Sequence, residues 1–142
     1  MFCGYTLRLK GDPILVTRSY DVKDFSDLGR LLDDMRQAMR DYRGIGLAAP
    51  QIGDLRRVAI AEIDNHVAEF VNPYIAGRGL LYIPRREGCL SLPKTEALKI
   101  RKYSIYVEYS DRQGTPHRRH LSGCNAVILQ HEIDHLDGKL IK

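Results

Sequence analysis

The stretch QHEIDHLDG, Gln130 to Gly138, constrains this chain more than any other. Two histidines four residues apart lie one above the other on a single helix face, so both imidazoles can reach one metal ion. Glu132 is rotated about 100° from His131, beside such an ion rather than on it. H-E-x-x-H is the pattern of hydrolytic sites of the zinc type, where the glutamate serves as base toward water at the metal. Five-residue patterns also recur by chance, so the reading requires a third ligand. Only seven residues, Leu136 to Lys142, follow His135, and Asp137 is the sole potential ligand among them. The helix is therefore expected to pack onto earlier chain that supplies the third donor.

Several upstream residues are candidates. Cys124 precedes His131 by seven residues, about 10 Å along a continuous helix, whereas a metal–sulfur bond spans about 2.3 Å. It is expected to be a small buried apolar residue. His117 and His120 lie in a preceding strand and can in principle approach, but Arg118 and Arg119 between them disfavour a cation there. Cys89 lies in REGCLSLP, where Gly88 frees the backbone and Pro93 limits how far a strand can continue. A soft thiolate would complement the helix histidines, giving a Cys-His-His set with the fourth position open to water.

The remaining chain sets the frame. With 142 residues, 44% hydrophobic and 28% charged, it reads as one domain over 1–142. No apolar run approaches the roughly 20 residues of a membrane span. MFCGYTLRLKGDP lacks the features of a secretory signal, and Cys3, Cys89 and Cys124 match no disulfide framework. A reducing cytoplasm is expected, of a bacterium or a phage-infected host, with an organelle also open. The net charge of +4 permits loose attraction to nucleic acid. The basic residues are scattered apart from Arg85-Arg86 and His117 to His120, which favours a solvated basic surface without sequence-specific nucleic-acid binding.

Ser26 to Arg43 repeats apolar residues at helical spacing, with Ser26 as N-cap and Gly44 just past the end. GIGLAAPQIG, Gly44 to Gly53, is too rich in glycine and proline for a helix or central strand and reads as a shaped loop. Arg57–Ile63 and Glu69–Ile75 read as strands joined at Asp64-Asn65. Tyr103, Ile105, Val107 and Tyr109 alternate onto one strand face, and a DRQG turn leads to a strand through His120. A helix from about Asn125 to Leu136 stops at Gly138. The fold class is α+β: an N-terminal helix, short antiparallel strands and a C-terminal metal-binding helix.

GIGLAAPQ (Gly44 to Gln51), EGCLS (Glu87 to Ser91) and QHEIDH (Gln130 to His135), in that order, resemble the three motifs of the peptide deformylases, and the resemblance extends over nearly the whole chain. It implies a metallohydrolase that removes the formyl group from formyl-methionyl nascent chains and releases formate. It implies Cys89, His131 and His135 as metal ligands, Glu132 as general base, and Gln51 and the Leu90 N–H as oxyanion donors. It implies Fe2+ in the cell, replaceable by Zn2+, Ni2+ or Co2+. Gly44 and Gly46 would admit an extended peptide, and Ile45, Val127 and Ile128 would wall a pocket for the methionine side chain. Glu87 and Arg101 are expected to pair near Cys89, whether buried or exposed.

The sequence departs from the family at Lys94, where a glycine is usual, and at Arg85, where an apolar residue is expected. It also stops at Lys142, whereas bacterial members commonly continue into a tail implicated in ribosome docking. A monomer with weak or absent, salt-sensitive ribosome binding is expected. Two other classes stand beside this reading. A structural metal protein needs a fourth protein ligand, and a basic RNA-associated domain needs clustered arginines with interleaved aromatics; neither feature is evident.

Overall fold

The computed structural model describes residues 6–141. Helix α1 spans Leu28–Asp41 and α2 spans Cys124–Leu136. Between them lie seven strands: β1 (Gly46–Ala48), β2 (Val58–Ile63), β3 (His66–Arg78), β4 (Tyr82–Cys89), β5 (Leu92–Lys102), β6 (Ser104–Ser110) and β7 (Pro116–Ser122). One antiparallel sheet has the order β1-β2-β3-β6-β7, while β4 and β5 form a separate two-stranded ribbon.

Strand β2 explains the layering, because it is buried on both faces. Val58 and Ile60 join the cluster of Leu28, Leu32, Met35 and Leu47. The alternate residues Ala61 and Ile63 join Ala126, Leu129 and Ile133. Successive side chains point to opposite sides of a strand, so α1 and α2 cover opposite faces of the sheet. Each fully buried Leu or Met of α1 contributes about 2 kcal/mol to that packing.

The turns follow from local chemistry. Asp64 and Asn65 adopt φ of +52° and +67° between the paired Ile63 and His66, the two-residue hairpin turn that Asx residues tolerate. The Asp111 carboxylate accepts from the Gln113 and Thr115 N–H groups, each at 3.0 Å, and so closes the turn before β7. Helix α2 ends with Gly138 at φ +77°, where the Lys139 N–H donates to Asp134 O at 2.8 Å and the Gly138 N–H to His135 O at 3.0 Å. This is a complete Schellman stop. A Cβ at Gly138 would also lie 2.9 Å from the Val16 backbone.

Several expectations are corrected. Ser26 does not cap α1: its hydroxyl donates to Asp24 at 2.6 Å, and Asp27 occupies the N-cap with its carboxylate accepting from Arg56 rather than from the helix. The residue after that helix in left-handed backbone is Arg43, at φ +57°, with Gly44 one position later donating to Met39 O. GIGLAAPQIG holds the edge strand β1 and a 3-10 turn, Ala49–Ile52, rather than loop alone. Pro93 lies inside β5, because the ladder jumps from Cys89–Leu92 to Gly88–Glu96 and leaves it in a bulge where no N–H is needed. Tyr103 is exposed, since its backbone bonds to Leu81 and Gly123 between the two sheets before β6 begins. Cys124 is exposed as well: it is the first residue of α2, off the face that Ala126, Leu129 and Ile133 bury.

Candidate metal centre

Two elements bring the donor set together. His131 and His135 stand one turn apart on α2, and Cys89 closes β4 opposite them. Cys89 Sγ lies 3.1 Å from His135 Nε2, and the two imidazole Nε2 atoms are 3.2 Å apart. All three donor atoms fall within 4.8 Å of one another. A tetrahedral ion bonded to nitrogen at about 2.0–2.1 Å and to sulfur at about 2.3 Å holds its donors roughly 3.3–3.6 Å apart. The donors are thus grouped at nearly the spacing of one ion's coordination edge. Two imidazoles facing at this distance cannot both direct protons at each other. The donor set fits a soft or borderline divalent metal.

Glu87 orients this set. Its Oε1 lies 3.0 Å from His131 Nδ1, while Arg101 reaches it through Nε at 2.8 Å and Nη2 at 2.7 Å. An imidazole that donates from Nδ1 to a carboxylate presents an Nε2 lone pair toward a metal. The Glu87–Arg101 pair is buried, at 7% exposure for each side chain. Burial alone would raise the Glu87 carboxyl, but Arg101 and His131 outweigh it and bring the carboxyl down to about 2. Arg101 also bonds Asp134 on α2, so one guanidinium ties the ribbon to the helix. Sequence reasoning found the Glu87–Arg101 pair but not its contact with His131, nor Asp134. The spacing D-H in QHEIDH, which puts Asp134 beside His135, was the available signal.

Glu132 lies beside the donors and is buried, with no hydrogen-bond partner for Oε1 among the described residues. Burial pushes its carboxyl up to about 7, the range of a general base. Gly46 makes room for it: a Cβ there would run into Glu132 Oε2 and lie 3.1 Å from its Cδ. The expectation that Gly46 serves close approach of a peptide thus meets a different constraint, because the space is taken by Glu132. Burial opposes protonation of His131 while the contacts with Cys89 and Glu87 favour it, and a bound cation would take the place of the proton at Nε2. Burial and the neighbouring His131 push His135 down to about 3.

Gln51 comes from the 3-10 turn and is buried. Its Oε1 accepts from the Ala48 N–H at 2.9 Å, which directs Nε2 to Ser91 Oγ at 3.1 Å and toward Cys89 Sγ at 3.7 Å. Ser91, the last residue of EGCLS, is the acceptor that holds the Gln51 amide. Leu90 follows Cys89 in the β4–β5 turn. A cleft of about 640 Å³ opens over this cluster, and Gly44, Ile45, Gly46, Leu90, Val127 and Ile128 are on its wall. Ile45 stands at the mouth, 57% exposed. His117 and His120 stay remote on β7, where His117 meets Asp111 at 2.9 Å.

The family model of polypeptide deformylases matches residues 5–142. The chain belongs to the peptide deformylase family. Peptide deformylase from Thermus thermophilus is 40% identical over 153 aligned residues, covering 96% of this chain and 79% of its own. The crystal structure of peptide deformylase from Thermotoga maritima superposes with a TM-score of 0.94 at 36% identity, over 96% of this chain and 94% of that one. The deformylase of Vibrio parahaemolyticus bacteriophage VP16T, solved in complex with actinonin, gives 0.91 at 33% identity, over 95% and 98% of the two chains. The chain is accordingly a metal-dependent peptide deformylase, a hydrolase of formylated nascent peptides. No described helix is long and apolar enough to cross a membrane.

Proposed function

We propose that the 1–142 chain is a single catalytic domain that cleaves the formyl group from formyl-methionyl peptides with Glu132 as general base. In this reading Cys89, His131 and His135 hold one divalent ion, Fe2+ in the cell, and Gln51 with the Leu90 N–H stabilises the oxyanion. One observation carries it: a cysteine sulfur and two imidazole nitrogens converge beside a buried carboxyl group whose Oε1 has no hydrogen-bond partner among the described residues. When bound, the ion supplies the charge that acidifies water and polarises the formyl carbonyl.

The chain's own residues do the rest. Glu132 takes a proton from the attacking water and returns it to the departing nitrogen, which a carboxylate poised near neutrality can do in both directions. The Gln51 Nε2, oriented by Ala48 and Ser91, donates toward the oxygen that gains charge as the carbonyl is attacked. A preorganised donor of this kind contributes about 3 kcal/mol to the transition state. Val127 and Ile128 on α2 offer an apolar wall for the methionine side chain, with Gly44 and Ile45 opposite and Gly46 keeping Glu132 in place.

The site draws all these groups from one chain, which supports action as a monomer. Attraction to the ribosome rests on the net charge of +4 and should vanish as salt rises. The test is formate release from formyl-Met-Ala-Ser by anaerobically purified protein, before and after chelation and after metal is restored. Release that is lost on chelation and regained with Fe2+ supports the reading; no release from metal-loaded protein overturns it. Actinonin, seen bound in the VP16T phage relative, is expected to inhibit.

A further inference from the structure

The cleft over the metal centre has an unusual charge on its walls. Four cations line it, Arg43, Arg85, Arg86 and Lys94. The ion pairs among the described residues use other arginines: Arg8, Arg18, Arg36, Arg56, Arg57, Arg101, Arg112 and Arg118. Among the described residues Arg85 donates to Cys124 Sγ at 3.1 Å. Of the cleft's acids, Glu87 is bound to Arg101 and His131, and Glu132 is buried within the centre. Exposed Glu96 is the remaining acid on the wall.

The cations stand on both sides of the opening. Arg43 follows α1, and the other three belong to the β4–β5 ribbon. The two sides approach at Gly44 and Leu90, where a Cβ on the glycine would lie 2.8 Å from Leu90 Cδ1. A peptide threading this opening passes between them.

Two of the four also occupy backbone that suits glycine. Arg43 has φ +57° and Lys94 has φ +62°. Left-handed backbone is unfavourable for a residue with a Cβ.

We propose that Arg43, Arg85, Arg86 and Lys94 are specificity-determining residues that make the cleft prefer formyl-peptides with acidic side chains close behind the first residue. The inference rests on the deformylase reading of the site and adds the direction of its substrate preference. Exposed ion pairs each change an equilibrium by a factor of about 1.5–5, and salt screens them.

The test compares kcat/KM for three peptide amides, formyl-Met-Ala-Ser, formyl-Met-Glu-Asp and formyl-Met-Lys-Arg, at low and high salt. The acidic peptide should exceed the basic one by about tenfold at low salt, with the difference shrinking toward unity as salt rises. Arg86→Glu and Lys94→Gly should each lower the acidic-to-basic ratio, the latter without opposing the φ of its position. Arg30→Glu, an exposed α1 residue outside the cleft, makes the same change in net charge as Arg86→Glu and should keep the ratio. Equal kcat/KM for all three peptides overturns the preference while the deformylase reading stands. An equal effect of Arg30→Glu assigns the preference to net charge and overturns the role of the cleft cations. Failure to hydrolyse any of the peptides removes the reading and the inference together.

Discussion

Glu132 occupies the space beside Gly46 that a side chain there would need. The Glu132→Gln variant keeps shape and polarity but cannot accept a proton, so metal content should stay at wild-type level while kcat falls at least about 10²-fold. A near-normal kcat would show that another group is the base. Gly46→Ala adds one methyl group where Glu132 Oε2 already sits. Its expected result is retained metal with kcat reduced by about tenfold or more, from a displaced base rather than a lost ligand. Unchanged kcat in that variant would mean that the carboxylate does not need its position. The convergence of His131 with His135 and the place of Glu132 beside them were readable from the H-E-x-x-H spacing, and Cys89 from its donor chemistry, whereas Gln51 entered only through the family resemblance. The bond from Glu87 to His131 and the hold of Ser91 on Gln51 arise between residues 44 and 40 positions apart, a proximity that no periodicity records.

At the level of elements, the C-terminal end of α2 is tied to earlier chain. Ser19 donates from both N–H and hydroxyl to Leu136 O at 2.8 Å, and buried Arg57 reaches Asp137 at 2.7 Å. Gly138 combines φ +77° with contact at 2.9 Å to the Val16 backbone. Gly138→Ala should therefore destabilise the fold by at least about 2 kcal/mol, read from the urea unfolding midpoint. A change below about 0.5 kcal/mol would contradict that packing. This helix and the β2–β3 and β6–β7 hairpins were readable from glycine stops, Asx turns and alternation. The β4–β5 ribbon was not, because Tyr82, Leu98 and Ile100 are exposed beside charged residues and Pro84 and Pro93 interrupt the pattern. Three-residue β1 is too short to leave a period.

Across the whole molecule, a charge network far from the metal joins α1 to the sheet. Glu69 on β3 binds Arg36 at 2.6 Å and Arg112 at 2.6 Å. Burial disfavours the Glu69 carboxylate, but the two arginines outweigh it and hold its carboxyl below the ordinary 4.5. A depressed native value stabilises the fold above the unfolded value, and that contribution disappears as pH falls through the native one. Wild type should exceed Glu69→Gln in urea midpoint near pH 6 by about 1 kcal/mol, and the gap should close as pH falls below about 4. A gap that persists unchanged in acid would assign the loss to packing. The α+β class was legible from the pattern of elements, whereas the placement of α1 and α2 on opposite faces required the two-sided burial of β2.

Cys89, His131 and His135 are assigned to one metal site. Elemental analysis of freshly purified protein tests it most directly, with Cys89→Ala and Cys124→Ala measured beside the wild type. The expected result is one equivalent of divalent metal in the wild type and in Cys124→Ala, and little in Cys89→Ala, because removing one of three ligands opens the ion to competing water. A full equivalent of metal in Cys89→Ala would contradict the account.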